Sequence, residues 1–495
     1  MKPASFLALD FGTSGSRVAI FDDCGVPSWH ATDPGGVGGT AGAGLLDPGE
    51  VQESLTRLLR VAAVAVPAGL NGIGVSAQLG MVLLDATGKP LAPITTWRDR
   101  SAVDEADSLK EDLGAAWIYR TAGRRVDPEL VACKLLRLRR QHPEVFRRIR
   151  WVLSLKDYLV FLLTGAHVVD PVHASYSMLA DVSRSEWSPD LLRAVGMSRE
   201  CLPPICPGVG VAGKLTAMAA RQTGLPQGVP VAVGGPDGTV GAVGAGMVCD
   251  GSAVDVMGTS DVLLVATDRP CFHPQGATLV NAHVLPGLWA AGGPMTTTGG
   301  ALHWLAEHLL GEPPEKVGAR LAVLEETARS VAPGSDGLVG IPSLIGERAP
   351  LWDPRMRGAF FGLGLQHRPA HLYRALVEGA AFLLAIHLEA LHSAGAAVDR
   401  LILAGGGSRS ALACGIRSEV LGRPISVCAT PQTTALGAAL LASIASGCHP
   451  DAETASAAMC RTGEVLVVPA ERQEQYQRCL RRFRDVYAAL AGIAK

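Results

Sequence analysis

The chain has 495 residues, of which 48 % are hydrophobic and 18 % charged, and its formal net charge is −2. That length exceeds one hydrophobic core, so two large domains are expected, and the composition excludes a chain that is mainly disordered. Near-neutral charge argues against nucleic acid or an anionic membrane as partner. Eleven cysteines include no C-x-x-C pair, Cys201 and Cys206 being the closest two. Reduced thiols in a cytoplasm are therefore expected rather than a zinc site or a disulfide framework. The start of the chain does not read as a secretory leader, and no uncharged apolar run reaches the length of a bilayer span.

In chain order, the first elements are a strand at Leu7–Asp10, a Gly12-Thr13-Ser14 turn and a strand at Val18–Asp22. Such a turn offers backbone N–H groups and two hydroxyls that can wrap phosphate oxygens. Asp10 beside it could hold magnesium, usually through water, or could stabilise its own turn. A helix follows at Pro48–Val66, with Val51, Leu55, Leu58, Leu59 and Ala62 on one apolar face. Strands are expected at Gly72–Ser76 and Met81–Asp85, and helices at Pro128–Arg140 and Lys156–Leu163. Two stretches, "GIGVSA" at Gly72 and "GVGVAGKL" at Gly208, fit nucleotide-loop patterns. Both are rejected, because Gly72 opens a strand, Gly208 follows a Pro-rich turn, and Leu215 stands where a P-loop needs a hydroxyl.

A strand at Val229–Gly234 runs into Gly235-Pro236 and displays Asp237 at its end, with Gly238 after it. Side-chain-free neighbours let a substrate approach closely, and a carboxylate there is a natural general base. An Asp is also a favoured helix N-cap. Strands at Ala253–Met257 and Val262–Ala266 then flank Gly258-Thr259-Ser260, an echo of the first hairpin half a chain away. The echo suggests duplication, with domains at 1–248 and 249–495 and each presenting one phosphate hairpin. A helix at His371–His392 precedes a strand at Leu401–Ala404 and the turn Gly405-Gly406-Gly407-Ser408, on which a flat ring could lie. Helices at Ser410–Leu421 and Glu471–Leu490, and a small-residue helix start at Thr433, complete a layered α/β pattern.

Together, and in this order, these motifs resemble the FGGY carbohydrate kinases over nearly the whole chain. "VACKLLRLRRQHPEVF" at Val131 is similar to the family's first signature, with Arg137 where Trp is usual. "GAFFGLGLQHRPAHLYRALVEG" at Gly358 is similar to the second, with Leu376 a small departure. "LKDYLVFLLTG", "GERAP" and "WRDR" resemble the xylulokinase branch. The resemblance implies two actin/Hsp70/hexokinase-like (RNase H-like) domains around an interdomain cleft, acting on ATP, Mg2+ and a small sugar, with a homodimer as one assembly. It implies Asp237 as catalytic base and Asp10 beside magnesium. Gly12, Thr13 and Ser14, with Gly258, Thr259 and Ser260, would contact the phosphates; Gly405, Gly406, Gly407 and Ser408 would contact the adenosine. Gln78, Leu79, Trp97, Asp99 and Asp237 would surround the sugar. The implied acceptor is a ketopentose such as D-xylulose, with ribulose, erythritol or gluconate as alternatives and an actin- or Hsp70-like ATPase as a more distant one. Two features depart from the xylulokinase branch: "SAQLGM" lacks the His of its usual Gln-Met-His-Gly, and Gly238 replaces the usual Asn.

Overall fold

A computed structural model describes residues 4–13, 15–33, 44–66, 69–466 and 470–493. Two seven-stranded sheets form its framework. The first contains β1 (Ser5–Gly12), β2 (Gly15–Asp22), β3 (Pro27–Asp33), β4 (Leu70–Ala77), β5 (Val211–Lys214) and β6 (Pro230–Ala232), with Gly235–Pro236 also paired to β4. The second contains β7 (Ser252–Val256), β8 (Val262–Thr267), β9 (Leu279–Ala282), β10 (Trp289–Pro294), β11 (Arg400–Ala404), β12 (Ile425–Cys428) and β13 (Thr462–Leu466).

The sheets share one pattern. In the first, β3-β2-β1 are antiparallel, β1-β4-β6 parallel, and β6-β5 antiparallel. In the second, β10-β8-β7 are antiparallel, β7-β11-β12 parallel, and β12-β13 antiparallel. The Gly-Thr-Ser echo therefore belongs to a repeat of whole sheets. In both halves the hairpin strand is central, so its residues are apolar almost without alternation, as a strand covered on both faces requires.

Six helices bear on the site: α1 (Pro48–Ala65), α2 (Pro171–Tyr176), α3 (Asp237–Gly244), α4 (Pro369–Ser393), α5 (Ala411–Leu421) and α6 (Thr433–Ala445). The apolar stripe of α1 packs on Leu7 and Leu9 of the first sheet. The opposite face of that sheet, with Phe6, Ala8, Ala19 and Phe21, is covered by α6 from the second half. Conversely Ala242 of α3 packs with Val254, Leu264 and Ile402 of the second sheet. These helices thus cross the 248/249 division in opposite directions. They meet each other with little room: a Cβ on Gly244 would lie 1.9 Å from the Thr433 carbonyl, and one on Gly437 would lie 1.9 Å from the Val240 carbonyl.

Two expected boundaries move. The helix expected from Pro128 begins at Val131, because Asp127 Oδ1 accepts the Glu129 N–H at 3.0 Å and makes a turn instead. The strand expected through Gly234 ends at Ala232, since Gly234 takes φ +76° and turns the chain toward Asp237. Lys214 of "GVGVAGKL" lies inside β5, so that segment has no phosphate-loop shape. Helix α4 is long and apolar enough to cross a membrane, but 72 % of its apolar window is buried in the protein.

The α3–α6 crossing generates a prediction. Gly437→Ala should destabilise the protein by about 1–3 kcal/mol, read as a lower Tm, and should lower turnover because α3 begins at Asp237. Gly415→Ala, in α5 with open space around the added methyl, should leave stability unchanged or raise it by up to about 1 kcal/mol.

Candidate active site

The first hairpin closes through paired Gly12 and Gly15; Ser14 lies outside the described residues. The Thr13 hydroxyl donates to Gln78 Oε1 at 3.1 Å and accepts from Trp97 Nε1 at 3.3 Å. The Gln78 amide also donates to the Gly12 carbonyl at 3.5 Å. Gln78, expected at the sugar, is 3 % exposed and braces the hairpin. The Thr13 proton is thus committed to Gln78. Leu79 and Trp97 line a cavity, whereas Asp99 is turned to the backbone N–H of Ser101 at 3.1 Å.

Asp10 sits at the end of β1, 7 % exposed, with Oδ1 buried and without a hydrogen-bond partner among the described residues. Burial, and then the negative charge of nearby Asp237, push its carboxyl up to about 7; Arg17, 3.9 Å away and half exposed, only partly offsets this. Asp237 is the first residue of α3 and does not cap it in the usual way. Its Oδ1 accepts from the adjacent Gly238 N–H at 2.8 Å. Burial raises its pKa, against the Gly238 bond and the charge of His173. Buried Asp10, with one unpartnered oxygen, and half-buried Asp237 repel each other and form a donor set suited to a hard divalent cation.

The second hairpin is held from beneath. Arg417 of α5 lies between Asp255 Oδ2, at 3.1 Å from its Nε, and Asp261 Oδ2 on its other side. Thr298 donates to Asp261 at 2.5 Å, and Gly300 N–H to the Thr259 carbonyl at 2.9 Å. Thr259 itself is exposed. The Gly407 N–H donates to the Met257 carbonyl at 2.9 Å, which brings the turn Gly405–Ser408 against the residue preceding Gly258. A second cavity sets Asp10 and Arg17 opposite Thr433 and Thr434 at the start of α6.

The cavity lined by Leu79 and Trp97 also contains Glu129, Lys134, His173 and Tyr176, and all its lining residues belong to the first half. It adjoins the Asp237 region through His173. Beneath it, Lys156 is fully buried and pairs with Asp157 at 2.5 Å and Asp170 at 3.1 Å.

Residues 5–244 match the N-terminal domain, and residues 253–446 the C-terminal domain, of the FGGY family of carbohydrate kinases. The chain belongs to this family. As an FGGY kinase it takes ATP and a sugar as substrates. It is 30 % identical to the xylulose kinase of Escherichia coli, covering 99 % of both chains. It is 28 % identical to the gluconokinase of Bacillus subtilis over 75 % of this chain and 73 % of that one. The crystal structure of xylulose kinase from Rhodospirillum rubrum superposes with a TM-score of 0.90 at 31 % identity, covering 99 % of each chain. The two-domain α/β fold of this FGGY kinase is thus shared across relatives that differ in sugar.

Reading the sequence did not single out the Lys156–Asp170–His173 chain or Arg417 as parts of the site. The nearest signal was the pair of acids, Asp255 and Asp261, bracketing the second hairpin in the echo.

The Asp10 environment sets a pH dependence. A carboxyl whose folded-state pKa is raised binds more protons folded than unfolded, so it withdraws stability as pH rises between about 4 and 7. Asp10→Asn should therefore melt higher than the metal-free wild type at pH 8, with the difference shrinking at pH 4, when both are followed by calorimetry without added magnesium.

Proposed function

We propose that this kinase transfers the γ-phosphoryl group of ATP to a primary hydroxyl of a small uncharged ketose, D-xylulose first among them, with Asp237 as general base. Asp237 carries this reading. The turn at Gly234 delivers it to the head of α3, beside the cavity, in surroundings that make its carboxylate a stronger proton acceptor than a surface one. It would take the hydroxyl proton as that oxygen attacks. Asp10 would hold magnesium, which when bound offsets the negative charge of the phosphates. The backbone of both hairpins would orient those phosphates, with Arg417 fixing the second, and Gly405, Gly406, Gly407 and Ser408 would lie against the adenosine. Phosphoryl transfer depends mainly on such positioning and electrostatics.

An uncharged acceptor is supported by how the cavity spends its charges. The Lys134 ammonium donates to the Thr96 carbonyl at 2.6 Å. Glu129 accepts from the Tyr176 hydroxyl at 2.9 Å and pairs with Arg100 at 3.4 Å. With the carboxylates of Glu129 and Asp157 in the same lining, the cavity favours an uncharged acceptor, so an aldonate such as gluconate is the second reading, favoured by the gluconokinase relatives.

Coupled ADP assays with D-xylulose, D-ribulose, erythritol and gluconate should give the highest kcat/KM with a ketopentose; a preference for gluconate would overturn the uncharged acceptor. Asp237→Asn should lower kcat by about 10²–10⁴-fold with ATP affinity near wild type. A variant retaining a tenth of the activity would remove Asp237 from this role.

The two hairpin threonines should behave differently. Thr259→Val should reduce kcat/KM for ATP about ten- to a hundredfold, through a lost bond to a charged group. Thr13→Val should act mainly by loosening the hairpin, seen as a lower Tm that Thr259→Val does not share.

A further inference from the structure

Helix α2 begins after Asp170, a carboxylate with no solvent exposure. Its Oδ1 accepts the N–H groups of Val172 and His173, both at 3.0 Å. Its Oδ2 receives Lys156 Nζ at 3.1 Å and His173 Nδ1 at 2.6 Å. Burial alone would raise the Asp170 pKa, but His173 and Lys156 outweigh it and hold the carboxyl far below its usual range. An ionised Asp170 can only accept, so Nδ1 of His173 must carry the proton. Nε2 then faces the cavity, as a lone-pair acceptor in the neutral ring and as an N–H donor in the imidazolium.

That Nε2 atom is left over. His173 is 5 % exposed and lines the cavity, and its Nε2 has no hydrogen-bond partner among the described residues. A buried polar atom without a partner calls for an explanation. Its placement is controlled from both sides. Helix α2 packs on Gly235–Pro236, the two residues before Asp237. The Ala282 N–H of the second half donates to Ser175 Oγ of the same helix at 3.3 Å.

We infer that His173 Nε2 is a substrate contact, hydrogen-bonded to a sugar hydroxyl near the one phosphorylated, with Asp170 and Lys156 as positioning residues that hold the imidazole by Nδ1. The inference rests on the cavity being the sugar site. It makes His173 a determinant of specificity, because a site built to pair one hydroxyl discriminates against an acceptor lacking it.

Two variants separate the roles of the two ring nitrogens. His173→Asn can keep a donor toward Asp170 while removing the atom that faces the cavity. His173→Gln can return a polar atom to the cavity. The measurement is kcat/KM for D-xylulose and for its monodeoxy analogues in the wild type and both variants. The wild type should discriminate against one analogue by about tenfold or more. In His173→Asn that discrimination should collapse while the others persist, with KM changing more than kcat, and His173→Gln should recover part of it. An equal loss on every analogue would overturn the inference. Wild-type inactivity toward D-xylulose would instead overturn the proposed acceptor. The same comparison would then run on D-ribulose or erythritol, whichever the wild type phosphorylates, and decide the role of His173 there. Should both variants fail to fold, 15N-histidine spectra of the wild type decide the matter: saturating acceptor sugar must shift one Nε2 resonance, and an unchanged spectrum overturns the contact.

Discussion

The crossing of α3 and α6 is the constraint on which the rest of the site depends. Each helix covers the sheet of the opposite half, and the two meet where Gly244 and Gly437 face main-chain carbonyls. Backbone against backbone leaves no side chain to re-pack, so the contact fixes the helices far more tightly than an apolar interface could. Both helix starts are chemical positions. The first residue of α3 is Asp237, and Thr433 and Thr434 at the start of α6 face Asp10 across a cavity.

The repeated hairpins have diverged in their electrostatics. In the second, Asp255 and Asp261 share one buried guanidinium, that of Arg417, which balances one of their two charges, and burial followed by the charge of Asp261 pushes the Asp255 carboxyl up to about 7. In the first, Asp10 has half-exposed Arg17 at 3.9 Å from one oxygen, and Asp237 has the Gly238 N–H and the nearby His173. The same supersecondary unit thus carries a fully buried guanidinium on one side and a half-exposed one on the other, with excess negative charge at both. Uncompensated buried charge is costly to a folded protein and characteristic of sites that bind a cation or move a proton.

Much of this was legible locally. The hairpin strands, the Gly-rich turns and Asp237 at a strand end are short-range patterns, and the family resemblance followed from their order. The helix exchange was not legible: α3 and α6 are small and apolar all round, so nothing in their periodicity tells which sheet they cover. Arg417 reaches Asp261 across 156 positions, and Asp170 acts through Lys156 on another element; such pairings exist only once the chain is folded. Gln78, expected at the sugar from the family resemblance, also holds Thr13 and Gly12 through its amide, a pairing that exists only in the folded chain. His173, which no motif marked, lines the cavity from α2.

Trp97 has two neighbours that are otherwise separate. Its ring forms part of the cavity wall, and its indole N–H holds the Thr13 hydroxyl of the first hairpin. A molecule that shifts this ring on entering the cavity disturbs a bond of the hairpin, and a hairpin that tightens around phosphate pulls on the same ring. The cavity and the hairpin are therefore joined through one side chain. Thermodynamic linkage makes such a connection reciprocal. Any gain in nucleotide affinity brought by a bound sugar equals the gain in sugar affinity brought by bound nucleotide, so neither dissociation constant is a property of one site alone.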